Sequence, residues 1–191
     1  MTEVEWAKAV CGRLNATFPQ GSSSARKLLG DCNTRLPYRN EIFSYGPDGD
    51  AQDMKPTSYA TDILVKEIRA DGTWMPRVVV ETKLKISTHD ALTYSSKAET
   101  HKQVHPYLRY GILIAGAEAA VPVRLFRHGA HFDFMVMWKN QTPTVDEWKK
   151  TIDLLAEEIE TSRSIQQLIS PKDNKSKKRY TVIRKKLIFD A

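Results

Sequence analysis

The chain has 191 residues, 41% hydrophobic and 27% charged. That is enough for one domain with a filled core and an ordinary composition for a folded protein. No apolar run reaches the roughly 20 residues that a membrane span needs. The opening MTEVEWAKAV carries acids and a Trp where a secretory signal would carry a basic patch and an apolar stretch. Cys11 and Cys32 cannot build a disulfide framework, which fits thiols in a reducing cytoplasm. The net charge is +6, and residues 171–191 account for all of it, with eight Lys/Arg against two Asp. Such a stretch suits a polyanion through counterion release, or is a solvated tail. The expected organisation is a single domain over 1–170, then a basic segment over 171–191.

In chain order, Val4, Ala7, Val10, Cys11 and Leu14 stand at helical spacing and predict an opening amphipathic helix. A polar break at Gln20 to Ser24 precedes a second helix expected to start near Ser24. The run GPDGDAQDMKPT, Gly46 to Thr57, reads as a loop. Asp62 to Ile68 then reads as a strand, Asp71-Gly72 as a two-residue hairpin turn, and Trp74 to Leu84 as the returning strand. Ser87 with Asp90 resembles a capping box for a helix reaching about Val104, stopped by His105-Pro106. Strands are expected at Tyr110 to Ala115, near Val123 to Arg127, and at Phe132 to Trp138. Thr144 with Glu147 predicts the start of a long helix to about Ile169, with Trp148, Ile152, Leu155 and Ile159 as its core stripe. A final edge strand is expected over Tyr180 to Phe189. The order hairpin, helix, strand implies an α/β (α+β) fold with a central mixed sheet flanked by helices and a crossover connection.

The chemistry lies in the hairpin. With Asp71 and Gly72 as the loop, Asp62 falls opposite Glu81, and opposed residues share a face. Glu81 and Lys83 also share a face, because side chains alternate along a strand. Val78, Val80 and Leu84 take the other face as core. Pro76 is the residue that could introduce a bulge and shift this register. Two facing carboxylates destabilise a sheet unless a cation lies between them, and magnesium accepts few protein carboxylates plus waters and phosphate oxygens.

Thr61-Asp62-Ile-Leu-Val, followed by Val-Val-Val-Glu81-Thr-Lys83, resembles the PD-(D/E)XK superfamily, which includes many restriction endonucleases. The likeness runs from about Tyr59 to Ala115, with Thr61 where the superfamily's proline would stand. It implies a restriction endonuclease-like fold and a catalytic set of Asp62, Glu81 and Lys83. It further implies Mg2+ (Mn2+ substituting) held by Asp62, Glu81 and the backbone carbonyl of Thr82, and one further acid from an N-terminal helix. Glu41 is the better candidate for that acid and Glu67 the other. The reading is a Mg2+-dependent endodeoxyribonuclease acting on double-stranded DNA, as a homodimer in a type II restriction system, in the cytoplasm and away from membranes. A repair nuclease or junction resolvase, and a non-catalytic DNA-binding module on the same fold, stand as alternatives.

Candidate phosphate contacts are Lys97 and Lys102 on the helix after the hairpin, and Lys175, Lys177, Lys178 and Arg179 in the basic segment. Gln103 and Tyr107 match a spacing found in some exonuclease branches, with Pro106 interrupting it. His101 and His105 stand four apart without a third ligand nearby, so DNA contact or surface exposure is the expected role of each, ahead of zinc. Tyr94, Tyr107 and Tyr110 are expected to pack.

Overall fold

The computed structural model describes residues 1–18, 26–116 and 122–170. The basic segment, with Lys175, Lys177, Lys178, Arg179 and the expected strand over Tyr180 to Phe189, lies outside them. The elements are α1 (Glu3–Thr17), β1 (Arg26–Tyr45), β2 (Ala51–Arg69), β3 (Trp74–Lys83), α2 (Thr88–Val104), β4 (Arg109–Ala115), α3 (Val123–His128), β5 (Phe134–Trp138) and α4 (Val145–Ile169). The five strands form one open mixed sheet in the order β1-β2-β3-β4-β5. β1, β2 and β3 are antiparallel neighbours, while β3–β4 and β4–β5 are parallel and joined across α2 and α3. Among the described residues no helix is long and apolar enough to cross a membrane.

Three helices start where the sequence marks them. Thr2, Ser87 and Thr144 each cap a helix with a reciprocal bond to Glu5, Asp90 and Glu147 respectively, satisfying amides that the first turn leaves free. In α1 the buried face is Trp6, Ala7, Val10, Cys11 and Leu14, and Val4 turns to solvent. In α4 it is Trp148, Leu155 and Ile159 with Thr151 and Ser162, and Ile152 is partly buried.

One sheet face carries Ile63, Val65, Val78 and Val80 against α1 and α4, and Leu84 packs at its edge. The other carries Leu36, Leu64, Val79 and Tyr110 against Ala98 of α2. Gly111 lets the Phe134 ring of the neighbouring strand lie on the backbone, since a Cβ there would stand 2.3 Å from that ring.

Three expected elements differ. Ser24, where a second helix was expected to begin, lies outside the described residues, and from Arg26 the chain is β1. Its alternation is hidden because Asn33 adopts φ 54. Leu28 and Cys32 therefore pack on the α1 side, and Leu36 on the α2 side. Gly46 to Thr57 is a loop only as far as Asp50, after which Ala51 onward pairs with β1 from Tyr45 back. Cross-strand hydrogen bonding there prevails over a Pro and Asp content that favours turns. Val123 to Arg127 is helix α3, whose only buried residue is Leu125.

The hairpin holds two departures that cancel. Arg69 N donates to Thr73 O at 2.8 Å and Gly72 sits at φ 80, so the loop has three residues, Ala70, Asp71 and Gly72, with glycine supplying the left-handed position. That loop sets Lys66 against Pro76. A bulge at Arg77 then shifts the pairing by one, and Val65 meets Val78, Leu64 meets Val79 and Ile63 meets Val80. The register implied by a two-residue loop is restored at the far end, where Asp62 and Glu81 follow the last pair.

Candidate active site

Asp62 and Glu81 stand where β2 and β3 stop pairing, beside the mouth of a parallel strand pair. Asp62 is half-buried, and its Oδ2 accepts from Thr82 N at 2.8 Å and from Thr82 Oγ1 at 3.1 Å. A strand residue sends its N–H and C=O towards the same neighbour, so the Thr82 carbonyl also faces the β2 side. Glu81 is fully buried, at 0% exposure. Its Oε1 accepts from the Tyr110 hydroxyl and meets Lys97 Nζ at 2.7 Å, and its Oε2 has no hydrogen-bond partner. Burial pushes the Glu81 carboxyl above its ordinary range; Lys97 opposes that shift and Asp62 adds to it. The Tyr110 hydroxyl is raised well above its usual value by burial and by Glu81.

Lys83 shares the Glu81 edge but its ammonium is engaged elsewhere. Nζ lies 2.9 Å from Glu3 Oε2 and 3.7 Å from Asp90 Oδ1, and 5.3 Å from the centre of the Tyr94 ring. Burial lowers its pKa, but the Glu3 bond and Tyr94 outweigh that, so Lys83 stays firmly charged.

The acid that α1 brings to this edge is Glu3, which also accepts from Leu84 N at 3.3 Å. Glu41 is not at the site. It pairs with Lys55 in the outer part of the β1–β2 ribbon, seven residues along β2 from Asp62, or roughly 23 Å at strand rise, and bonds Arg39. Glu67 is at the opposite end of β2, buried between Arg77 and Arg163. A sequence signal for Glu3 existed in its place on the first turn of the first helix, but nothing in the sequence alone brings that turn to β3.

The expected phosphate contacts fare differently. Lys97 belongs to the site itself, bonded to Glu81 and to the carbonyl of Ala60. Lys102 is committed to Asp133 and the His131 carbonyl, each at 2.7 Å, so an ammonium already held by protein oxygens stands where a phosphate contact was expected. His101 is fully buried, with Nε2 donating to Leu36 O at 3.1 Å and its ring stacked on Tyr110, which rules out the expected DNA contact or surface exposure. His105 is directed to the Pro37 carbonyl, so the two imidazoles serve adjacent carbonyls of β1 instead of one ion. Gln103 is exposed at the end of α2, and Tyr107 lies past the helix stop, beside Arg77. Beside the site, Tyr59, His89, Asp90, Thr93, Tyr94 and Lys97 line an open cleft of about 620 Å³.

A cation fits this edge on one observation: Glu81 presents a buried carboxylate oxygen without a partner, next to a second acid. Buried carboxylate oxygens are normally satisfied, and a proton or a cation would each complete this one. No group of three or more His, Cys, Asp or Glu gathers with metal-holding geometry among the described residues. Two carboxylates, a carbonyl and waters would suit magnesium.

Two predictions arise here. Asp62→Asn should raise the melting temperature in EDTA, because it removes one of two neighbouring acids and keeps an oxygen for Thr82; a clear fall would count against repulsion at this edge. His101 provides a pH test. Burial lowers its pKa from 6.5 to about 4, so the unfolded chain binds the extra proton first. Its contribution is complete above pH 6.5 and is lost as pH falls towards 4, up to about 3 kcal/mol. Between pH 6.5 and 4 the melting temperature should fall more steeply with falling pH for the wild type than for His101→Gln; equal slopes against pH would refute the assignment.

Comparison of the sequence with protein-family models gives no match, and comparison with curated proteins gives none either.

Proposed function

We propose that the chain is a metal-dependent phosphodiesterase of the PD-(D/E)XK kind. More particularly, we read it as an endodeoxyribonuclease cutting double-stranded DNA, of the type II restriction class. The observation that carries this reading is the bare, buried Oε2 of Glu81 beside Asp62 at the end of the hairpin, with the Lys97 ammonium on the other oxygen of the same carboxylate. Asp62, Glu81 and the Thr82 carbonyl would hold Mg2+, with Mn2+ substituting. Bound there, the ion would supply charge neutralisation at the scissile phosphate and would make a water more acidic. Thr82 fixes the Asp62 carboxylate through its amide and hydroxyl. Tyr110 fixes Glu81, and in the metal-free chain Lys97 balances its charge. Lys83 keeps its proton and supplies positive charge at the exposed side of the pair.

Double-strand cutting is most simply done by a homodimer with one site per subunit. The net +6 of residues 171–191 would supply phosphate contacts. Changing Lys175, Lys177, Lys178 and Arg179 to Gln should weaken DNA binding at moderate salt and flatten its salt slope by up to about 4 units, at about 0.9 per phosphate. An unchanged slope would move the DNA-binding surface elsewhere. A repair nuclease or junction resolvase would use the same chemistry.

One observation favours a non-catalytic DNA-binding module instead. Lys97 answers Glu81, and Glu3 answers Lys83, so the ion pairs close within the protein. Calorimetric titration with Mg2+ separates the two: binding that disappears in Glu81→Gln supports the enzyme, and no binding supports the module.

A further inference from the structure

Resting on the metal reading above, we propose that Lys97 is an exchangeable counter-ion of Glu81, displaced when the divalent cation arrives and turned into the adjoining cleft to meet an anionic group of the substrate. The geometry has three parts. Lys97 Nζ is 2.7 Å from Glu81 Oε1, on the one carboxylate of the pair that is wholly buried. The same ammonium bonds the Ala60 carbonyl and stands 5.5 Å from the centre of the Tyr94 ring, so its other partners carry no countercharge. The Lys97 side chain is 14% exposed and also lines the cleft with Tyr59, His89, Asp90, Thr93 and Tyr94, which gives the released ammonium an open space to enter.

Electrostatics decides that both cations cannot share Glu81 comfortably. A divalent ion on Oε2 would face a unit positive charge on the other oxygen of the same carboxylate, at a few ångströms and away from bulk water. The long, flexible lysine stem moves more readily than a strand-borne carboxylate. Removal of the lysine charge should therefore strengthen metal binding, the opposite of what loss of a supporting contact would do. The free ammonium, carried into the cleft, would then attract a phosphate oxygen only after the metal is bound. Ordered loading of metal before substrate follows from the exchange.

The test uses the full chain and Mg2+ alone. By calorimetry, Lys97→Gln, which keeps a donor for Glu81 without the charge, should bind Mg2+ at least about tenfold more tightly than the wild type. Circular dichroism establishes that the variant is folded. A second measurement needs no variant: acetic anhydride labelling of the wild type, read by mass spectrometry, should modify Lys97 slowly in EDTA and several-fold faster with Mg2+. Equal or weaker Mg2+ binding by Lys97→Gln, or Lys97 labelling that ignores Mg2+, would overturn the exchange and leave the metal reading standing. Folded wild type and Lys97→Gln that both fail to take up Mg2+ would overturn the metal reading and this inference with it.

Discussion

Glu81→Gln is expected to lower Mg2+-dependent cleavage of double-stranded DNA by roughly 10³-fold or more, with the fold retained. A metal-held carboxylate contributes several kcal/mol of charge stabilisation, and each 1.4 kcal/mol is tenfold in rate. Glutamine preserves shape and an acceptor for Tyr110, so lost activity would report lost charge at the cation site. Asp62→Ala and Lys83→Ala should be as damaging, since each carries a separate part of the proposed chemistry. The three differ in what else they disturb. Asp62→Ala frees the Thr82 amide and hydroxyl, while Lys83→Ala frees Glu3 at the start of α1. Circular dichroism beside the cleavage assay separates loss of chemistry from loss of structure. Purified Glu81→Gln cutting at near wild-type rate would remove this edge from consideration as the active site.

The largest effect on stability should come from the other end of the same hairpin. Glu67 is fully buried, with Arg77 Nη2 at 3.1 Å and with Arg163 and Arg26 around it. Arg77 is 1% exposed, occupies the bulge, and also donates to Ser162 of α4 at 3.4 Å. Burial pushes the Glu67 carboxyl up, but the two arginines outweigh it and hold the pKa below the ordinary value. A depressed acid contributes stability above the pKa of the unfolded chain, and that contribution is lost as pH falls through the folded value. Glu67→Leu leaves the Arg77 guanidinium buried without its countercharge, which costs about 3–5 kcal/mol. In a protein of this size that is a fall of roughly 6–20 °C in melting temperature. The double change Glu67→Leu with Arg77→Met should recover much of it, because both charges go together. A single variant as stable as the wild type would refute the network's role. The expected damage includes register, since the bulge at Arg77 is what returns Asp62 and Glu81 to the same end of the hairpin.

That bulge also explains how far the sequence could be read. A two-residue Asp71-Gly72 turn sets Asp62 against Glu81 through the wrong loop, and the structure reaches the same register through a three-residue loop and one extra residue. Pro76 was the visible sign of irregularity; the compensation was not visible, because a bulge depends on what Arg77 finds to pair with on α4. The capping boxes at Ser87 and Thr144 were legible because they are local, whole within four residues. β1 was not, since its long pairing with β2 is stabilised from outside its own sequence and Asn33 breaks its alternation. At the site, residues on paired strands could be brought together from spacing alone. Glu3 and Lys97 could not, because helix packing on the sheet decides which helix residues reach the strand ends. His101 was misjudged for the same reason: a polar ring among charged neighbours in sequence lies against Tyr110 in the fold.

A digest of unmethylated phage DNA by the full chain tests most directly whether the hairpin edge is a cation-dependent DNA-cutting site. With Mg2+ the wild type should give discrete bands, EDTA should abolish them, and Glu81→Gln should give none. A folded protein that binds this DNA and leaves it intact across Mg2+ and Mn2+ would contradict the claim.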